Sequence, residues 1–309
     1  MQTILGSGGA IGVELAKELP KYTDQIRLVS RNPEKVNESD ELFAANLLKQ
    51  DEVIRAAADS DVVYLTAGLE YDTRTWQEQW PVVMRNVIEA CLYNQAKLVF
   101  FDNVYMYDSG SLNPMRENHK INPPSKKGVV RAEIARMIWD SVEQKGLNGL
   151  IARSADFYGP VLKKQSSFLV EGVFKPLKQG SKANWLGSDK YLHSFTYTPD
   201  AGKATALLGN TPDAYGEVWH LPTASNPPTG KEWVEKIASE MGVKPQYRVA
   251  TKLIVAVMGL FMPVMRESKE MLYQFDRDYV FSSEKFEKRF GIKPTPYNDG
   301  IREVVKSLE

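Results

Sequence analysis

Three glycines spaced three residues apart, Gly6, Gly9 and Gly12, stand in the segment Leu5-Gly-Ser-Gly-Gly-Ala-Ile-Gly12 near the start of the chain. Apolar residues precede them and an amphipathic stretch follows, so the segment reads as a strand, a glycine turn and a helix start. Such a turn lets the backbone approach a pyrophosphate, whose charge then rests on the helix N-terminus. The segment predicts a dinucleotide site built from Gly6, Ser7, Gly9, Ala10, Ile11 and Gly12.

The pattern behind the loop sets the fold class. Residues 3–5, 26–30, 61–66, 97–101 and 149–153 are apolar runs of buried-strand type. Helical stripes lie between them: Ile11, Leu15 and Leu19 before Pro20; Val83, Val87, Ile88 and Cys91 in 82–94; and Ile134, Ile138, Trp139 and Val142 in 126–145. This alternation predicts an α/β chain, a Rossmann-type doubly wound parallel sheet. Past residue 155 the alternation fails, and Pro, Gly and Lys between 159 and 190 read as loops over a rigid sheet. Helix signals return later. Thr229 and Glu232 have capping-box spacing, Gly242 suits a C-cap, and Ile301, Val304, Val305 and Leu308 form one stripe after Pro296.

Composition narrows the function classes. The 39 basic and 39 acidic residues balance, so no global field recruits nucleic acid or an acidic membrane. A single cysteine, Cys91, excludes an internal disulfide framework and fits a reducing compartment. Residues 253–265 are the most apolar stretch, yet they fall short of the roughly 20 residues of a membrane span, and Pro263 interrupts them. They read as a buried helix or as a wall of the substrate pocket. With the first strand beginning almost at Met1, the expected location is the cytoplasm. The expected partner is a small-molecule substrate, with no nucleic acid, no membrane and no metal.

The second strand selects between dinucleotides. A carboxylate at its end would accept the ribose 2′-hydroxyl of NAD, whereas a basic residue there pairs with the 2′-phosphate of NADP. Here the strand ends Val29-Ser30-Arg31-Asn32, with no carboxylate before Glu34. Ser30 and Arg31 favour NADP over NAD.

Four segments in order carry a family resemblance: the glycine loop, Thr66-Ala67-Gly68, residues 153–160 (RSADFYGP) and residues 193–200 (HSFTYTPD). Together they resemble an extended short-chain dehydrogenase/reductase, the group that includes nucleotide-sugar epimerases and dehydratases, with a weaker likeness over 291–301. The resemblance implies a nucleotide-binding domain of residues 1–155, to which 195–222 returns. A smaller C-terminal substrate domain would comprise 156–194 and 223–309. It further implies that the cofactor adenine lies near Asn46 and Leu47, and that Thr66, Ala67 and Gly68 line the cofactor cleft with Ser154 and Ala155 beside them. Homodimers are frequent in that family.

The catalytic positions depart from that pattern. The family uses a Ser or Thr after the fifth strand and a Tyr-x-x-x-Lys pair on the next helix, the Tyr trading a proton with the substrate. By the resemblance, Asn103 stands at the serine position, Lys127 at the tyrosine and Arg131 at the lysine. Lys127 and Arg131 are one helical turn apart, which implies that both meet the nicotinamide ribose. Arg131 stays charged and can bond the ribose hydroxyls. Lys127 can yield a proton, and Asn103 can donate a hydrogen bond to a carbonyl oxygen. Tyr105 and Tyr107 are nearby phenols that could substitute as acid, although aromatic residues at such places mostly pack.

The substrate expectation follows from two further positions. Asp156 stands where the family usually carries Asn and would repel a diphosphate. His193 stands where an Arg commonly grips it, with Lys163, Lys164, Lys175 and Lys178 as other cations able to serve. Met and aromatic residues crowd the C-terminal third, as in Met265, Met271, Tyr273 and Phe275. A weakly polar carbonyl or alcohol fits such a pocket, with Asp156 and His193 as its polar contacts. Three readings result. The first is an NADP-binding oxidoreductase acting on such a substrate. The second is a non-catalytic NADP redox sensor, suggested by the missing tyrosine. The third is a nucleotide-sugar epimerase or dehydratase, by fold analogy alone.

Overall fold

A computed structural model describes residues 1–161 and 167–308. Lys163 and Lys164 lie outside the described residues. Six strands come first: β1 (Gln2–Leu5), β2 (Ile26–Ser30), β3 (Glu41–Ala44), β4 (Val62–Leu65), β5 (Lys97–Asp102) and β6 (Gly149–Arg153). Two short pairs follow, β7 (Asp156–Tyr158) with β9 (Phe195–Tyr197), and β8 (Ala183–Leu186) with β11 (Tyr247–Ala250). The strand β10 (Val218–His220) returns to the central sheet, whose seven strands run in the order β10-β6-β5-β4-β1-β2-β3. Every pairing in it is parallel.

Strand periodicity explains why helices cover both faces. In β4, Val63 and Leu65 point into one core and Val62 and Tyr64 into the other, and all four are buried. On the first face pack α2 (Gln50–Ala56), α3 (Thr73–Asn94) and α4 (Lys126–Lys145), through residues such as Trp80, Val87, Ile134 and Ile138. On the second pack α1 (Ala10–Glu18) and α6 (Thr198–Gly209, after the short α5 at Lys175–Lys178), through Leu15, Ala204 and Leu208. The chain leaves β1 towards β2 and β3, then crosses back to β4 on the other side. That reversal places the glycine loop and Thr66 together at the carboxyl ends of β1 and β4, the switch point where such sheets bind ligands.

A third core joins Tyr158, Phe174, Trp185, Phe195 and Trp233 to Ile301 and Val304. It is built by the two short strand pairs, α7 (Gly230–Glu240) and the final helix. The remaining helices are α8 (Lys252–Met258), α9 (Pro263–Ser268), α10 (Glu284–Phe290) and α11 (Tyr297–Lys306). The capping box of Thr229 and Glu232 is formed, and Gly242 has φ +66° just past α7.

Three expectations need correction. The helix α3 starts at Thr73 rather than 82, because the Asp72 carboxylate accepts from the Thr75 amide and Pro81 is carried inside it. The strand β3 and helix α2 were not anticipated, since Glu41–Ala44 is a short, mostly exposed edge whose apolar residues do not alternate with polar ones. Residues 253–265 are not a buried helix. They split at a turn into α8 and α9, and Leu253, Leu260 and Phe261 are 75%, 77% and 82% exposed. Among the described residues no helix is long and apolar enough to cross a membrane, and none groups His, Cys, Asp and Glu as a metal site would require.

Candidate active site

The three glycines of the loop do three different things. Gly6 has φ +98°, and a Cβ there would lie 2.4 Å from the Ala67 backbone, so the turn closes directly onto the end of β4. At Gly12 a Cβ would stand 2.8 Å from the Gly6 carbonyl, which fixes how tightly α1 packs on the turn. A Cβ on Gly9, the N-cap of α1, would meet nothing nearer than 3.8 Å. Gly8 and Gly68 also face open space. The Ser7 hydroxyl is buried without a hydrogen-bond partner, and the first turn of α1 carries no carboxylate. An open cradle, an unpaired donor and a positive helix end fit the pyrophosphate of a dinucleotide.

The other expected cofactor residues surround this loop. Thr66 donates its hydroxyl to the Leu5 and Gly6 carbonyls, and Asn46 and Leu47 are half-exposed after β3. Ser30 ends β2 and Arg31 is exposed beyond it. Ser154 and Ala155 are buried, with the Ser154 hydroxyl bonded to the Ala155 carbonyl.

Lys127 and Arg131 do not stand free on α4. The helix start is pressed onto the loop after β5, so that a Cβ on Gly128 would lie 2.3 Å from the Tyr105 carbonyl. Lys127 is 0% exposed. Its ammonium donates to Glu267 Oε2 (2.6 Å), Glu270 Oε1 (2.9 Å), Thr73 Oγ1 (2.9 Å) and the Glu267 carbonyl (3.2 Å). It also lies 4.6 Å from the centre of the Tyr71 ring, a cation–π contact. Glu267 is held below the usual carboxylate range: burial opposes this, but the bonds from Lys127 and Thr73 outweigh it.

Arg131 is likewise committed. Its Nε and Nη2 reach Asp102 Oδ1 at 2.8 and 2.6 Å, and its guanidinium stacks over Trp80 and Phe100. Asp102 also accepts from Arg153 Nε at 3.3 Å and from the Asn103 amide at 2.8 Å. Beyond it, Arg153 Nη1 donates to the Tyr107 hydroxyl (2.9 Å), which in turn lies 2.7 Å from His220 Nε2. Because His220 Nδ1 faces the Ser282 carbonyl at 2.9 Å, the proton sits on Nδ1 and Nε2 accepts from Tyr107. Tyr107 is fully buried in this chain and is not available as an acid.

What remains half-exposed in the cleft is Asn103, Tyr71, Tyr105, Tyr273 and Asp156. Asn103 Oδ1 accepts from the Tyr105 amide at 3.1 Å, leaving its side-chain NH₂ as the group that can meet a ligand. Tyr105 stacks on Trp76, and Tyr71 packs edge-on to the same ring. Asp156 Oδ2 lies 3.0 Å from His193 Nε2. The His193 ring is itself buried between Phe275 and Tyr279, so of that pair Asp156 faces the cleft. Tyr71, Tyr105, Tyr273 and Tyr279 all have raised pKa values; burial is the larger cause, and the Asp156 charge adds to it. These phenols are protonated at neutral pH, and the Tyr279 hydroxyl accepts from the Asp156 backbone amide at 3.2 Å. The Cys91 thiol, pushed up to about 12 by burial, is a packing residue.

A model of the NAD-dependent epimerase/dehydratase family matches residues 3–221. The chain belongs to that family. The fold is shared along its whole length with solved members. The UDP-glucose 4-epimerase of Thermus thermophilus, in complex with NAD, has TM-score 0.79 at 17% identity, covering 100% of this chain and 99% of that one. The dTDP-glucose 4,6-dehydratase DesIV of Streptomyces venezuelae, with NAD and TYD bound, has TM-score 0.79 at 16% identity, covering 100% and 97%. The UDP-N-acetylglucosamine 4-epimerase of Bacillus cereus has TM-score 0.77 at 15% identity, covering 99% and 95%. No curated protein matches the sequence.

Within this epimerase/dehydratase frame, several site residues had no sequence signal. Glu267 and Glu270 come from the end of α9 and the turn after it, some 140 positions from the lysine they clasp. Tyr71 lies in an irregular loop between β4 and α3. A loop aromatic shortly after the Thr66–Gly68 segment was the available hint.

Proposed function

We propose that this chain is an NADP-dependent oxidoreductase that moves hydride to or from a weakly polar carbonyl or alcohol. The observation that carries the reading is the pairing of an open glycine cradle with a cleft whose half-exposed polar groups are an amide, phenols and one carboxylate. In this reading residues 1–155 and 195–222 hold the cofactor, and 156–194 and 223–309 shape the substrate side. A dinucleotide held through its pyrophosphate at the loop would supply or take the hydride at its nicotinamide. Arg31 and Ser30 meet the 2′-phosphate.

The chain's own residues then have distinct parts. The Asn103 NH₂ hydrogen-bonds the carbonyl oxygen and so polarises it. Tyr71, protonated and held under the Lys127 ammonium, delivers the proton to that oxygen, with Tyr105 beside it. Lys127 and Arg131 are positioning residues. Lys127 fixes Tyr71 and joins α4 to the Glu267 segment, and Arg131 fixes Asp102, which holds the Asn103 amide. Asp156 faces the substrate with a negative charge, which disfavours a diphosphate.

A second reading, an epimerase or dehydratase acting on a nucleotide sugar, is favoured by the ligands named for the solved members. One experiment separates the two. NADPH and NADH absorbance is followed against a panel of carbonyl compounds, and nucleotide sugars are followed for epimerised or dehydrated product. The expected result is NADPH consumption on a carbonyl compound. Tyr71→Phe and Asn103→Ala should each lower kcat by about 100-fold, the typical contribution of a positioned acid or a single oxyanion donor. Turnover of a nucleotide sugar, or full activity in Tyr71→Phe, would overturn the assignment. Cofactor binding without turnover on any compound would point to a sensor.

A further inference from the structure

The chain is neutral overall, but residues 244–266 carry Lys244, Arg248, Lys252 and Arg266 and no carboxylate. The same stretch holds most of the large exposed apolar side chains among the described residues of the second half. Leu253, Val257, Leu260, Phe261, Met262 and Val264 project from the hairpin formed by α8 and α9, and in α8 only Val255 is buried. The acidic residues that follow are paired within the protein. Glu267 and Glu270 are taken up by Lys127 and Thr73, and Asp276 by Lys252 and Arg277. The hairpin therefore has a root anchored by carboxylates, where Lys252 is paired with Asp276, and an apolar tip; the exposed cations are Arg266 on α9 and Lys244 and Arg248 in the segment leading into α8.

We propose that this hairpin docks the protein on an anionic lipid surface, the apolar tip entering the acyl boundary and the cations lying at headgroup level. Its two helices are far too short to span a bilayer, and an in-plane element needs apolar area and positive charge together, which the hairpin and the segment leading into it present. A second copy is the poorer occupant. A two-fold contact would set the same patch against itself and add the positive charge of Lys244, Arg248 and Arg266 to its own copy, with no carboxylate in residues 244–266 to offset it. The root contacts Thr73 and Lys127 at the cleft, so docking brings the cleft entrance next to the lipid. The inference is independent of the chemistry proposed for the cleft.

The test is co-sedimentation of the full chain with vesicles of phosphatidylcholine alone and of phosphatidylcholine mixed with phosphatidylglycerol, over a range of salt. Binding to the mixed vesicles, weakened by salt, is expected. The double variant Leu260→Ser/Phe261→Ser should lose at least about tenfold in partitioning, given the apolar area removed. These side chains are exposed, so its melting curve should match the parent. Arg248→Glu/Arg266→Glu should remove the preference for the anionic mixture. Failure of the parent to sediment with the mixed vesicles overturns the proposal, as does equal binding by the Leu260→Ser/Phe261→Ser variant. A dimer that this variant abolishes, with no vesicle binding by the parent, would assign the patch to a second copy instead.

Discussion

The starts of α1 and α4 are both helix N-termini pressed close to another backbone, yet they differ in what they leave unpaired. At α1 the Ser7 hydroxyl lacks a partner, Gly9 has room above it and no carboxylate blocks the helix end. At α4 the two cations are consumed by the protein itself, Lys127 by Glu267 and Glu270 and Arg131 by Asp102. A ligand site shows as unmet hydrogen-bonding capacity, because burying it unmet costs stability that only a ligand returns. A clamp shows as the opposite. Two residues matched by position to a catalytic pair can thus hold the cleft together without facing it.

The largest expected effect breaks the clamp side of this comparison. Asp102 is fully buried between two guanidiniums, and removing it leaves both cations without their counter-charge. Asp102→Ala should destabilise the protein by about 3–5 kcal/mol, the usual penalty for orphaning one partner of a buried ion pair. Urea unfolding measures it. Asp102→Asn, which keeps the acceptor oxygen but not the charge, should recover part of the loss. A loss below about 1 kcal/mol in Asp102→Ala would mean that the network is solvated and the contrast with α1 is wrong.

The ligand side is sharpened by two glycines that look equivalent in sequence. Gly9→Ala adds a methyl group into open space at φ −85°, where any residue is comfortable. Stability should stay within about 0.5 kcal/mol of the parent, as for an ordinary surface change. Dinucleotide affinity should fall by tenfold or more, worth about 1.4 kcal/mol, because the methyl group occupies the pyrophosphate's approach. Gly12→Ala instead forces a 2.8 Å contact with the Gly6 carbonyl, so it should lower both stability and affinity. Fluorescence titration with NADPH beside thermal melts reads the two quantities apart. Unchanged affinity in Gly9→Ala would place the ligand elsewhere.

How much of this was legible in the sequence depends on the distance over which each feature is encoded. The glycine loop, the parallel strands and the capping box of α7 are local patterns, with period, turn chemistry and cap in a few consecutive residues, and they could be read directly. The pair His193 and Asp156 was singled out by motif position and does meet at 3.0 Å. Whether it touches substrate is a separate matter, since His193 is walled in by Phe275 and Tyr279. Lys127 was legible as a position but not as an environment, because its carboxylates arrive from the end of α9 and beyond. The apolar run of 253–265 misled for the same reason: hydrophobicity records what a residue would gain by burial, not whether the fold supplies a partner. The strand β3 was lost because an exposed edge carries no apolar alternation.

The buried network around Asp102 also sets a pH dependence, with a smaller effect than the substitutions above. His220 is held well below the ordinary histidine value, first by burial and then by the neighbouring Arg153 charge. Its Nδ1 proton is given to Ser282 and its Nε2 accepts from Tyr107, so a second proton would break the Tyr107 bond as well as add charge beside Arg153. In the unfolded chain His220 takes up a proton below about pH 6.5, whereas in the folded protein it does not until lower pH. The unfolded state therefore binds more protons in that window, and stability falls as pH drops. The slope approaches about 1.4 kcal/mol per pH unit for one such group. Between pH 7 and 5.5, above the range where carboxylates titrate, the urea midpoint of the parent should fall. His220→Gln keeps a donor and an acceptor but cannot charge, and its midpoint should fall less over the same interval. Parallel slopes in the two proteins would show that the Tyr107–His220 end of the network is not the group that titrates, and would confine the clamp to Arg131, Asp102 and Arg153.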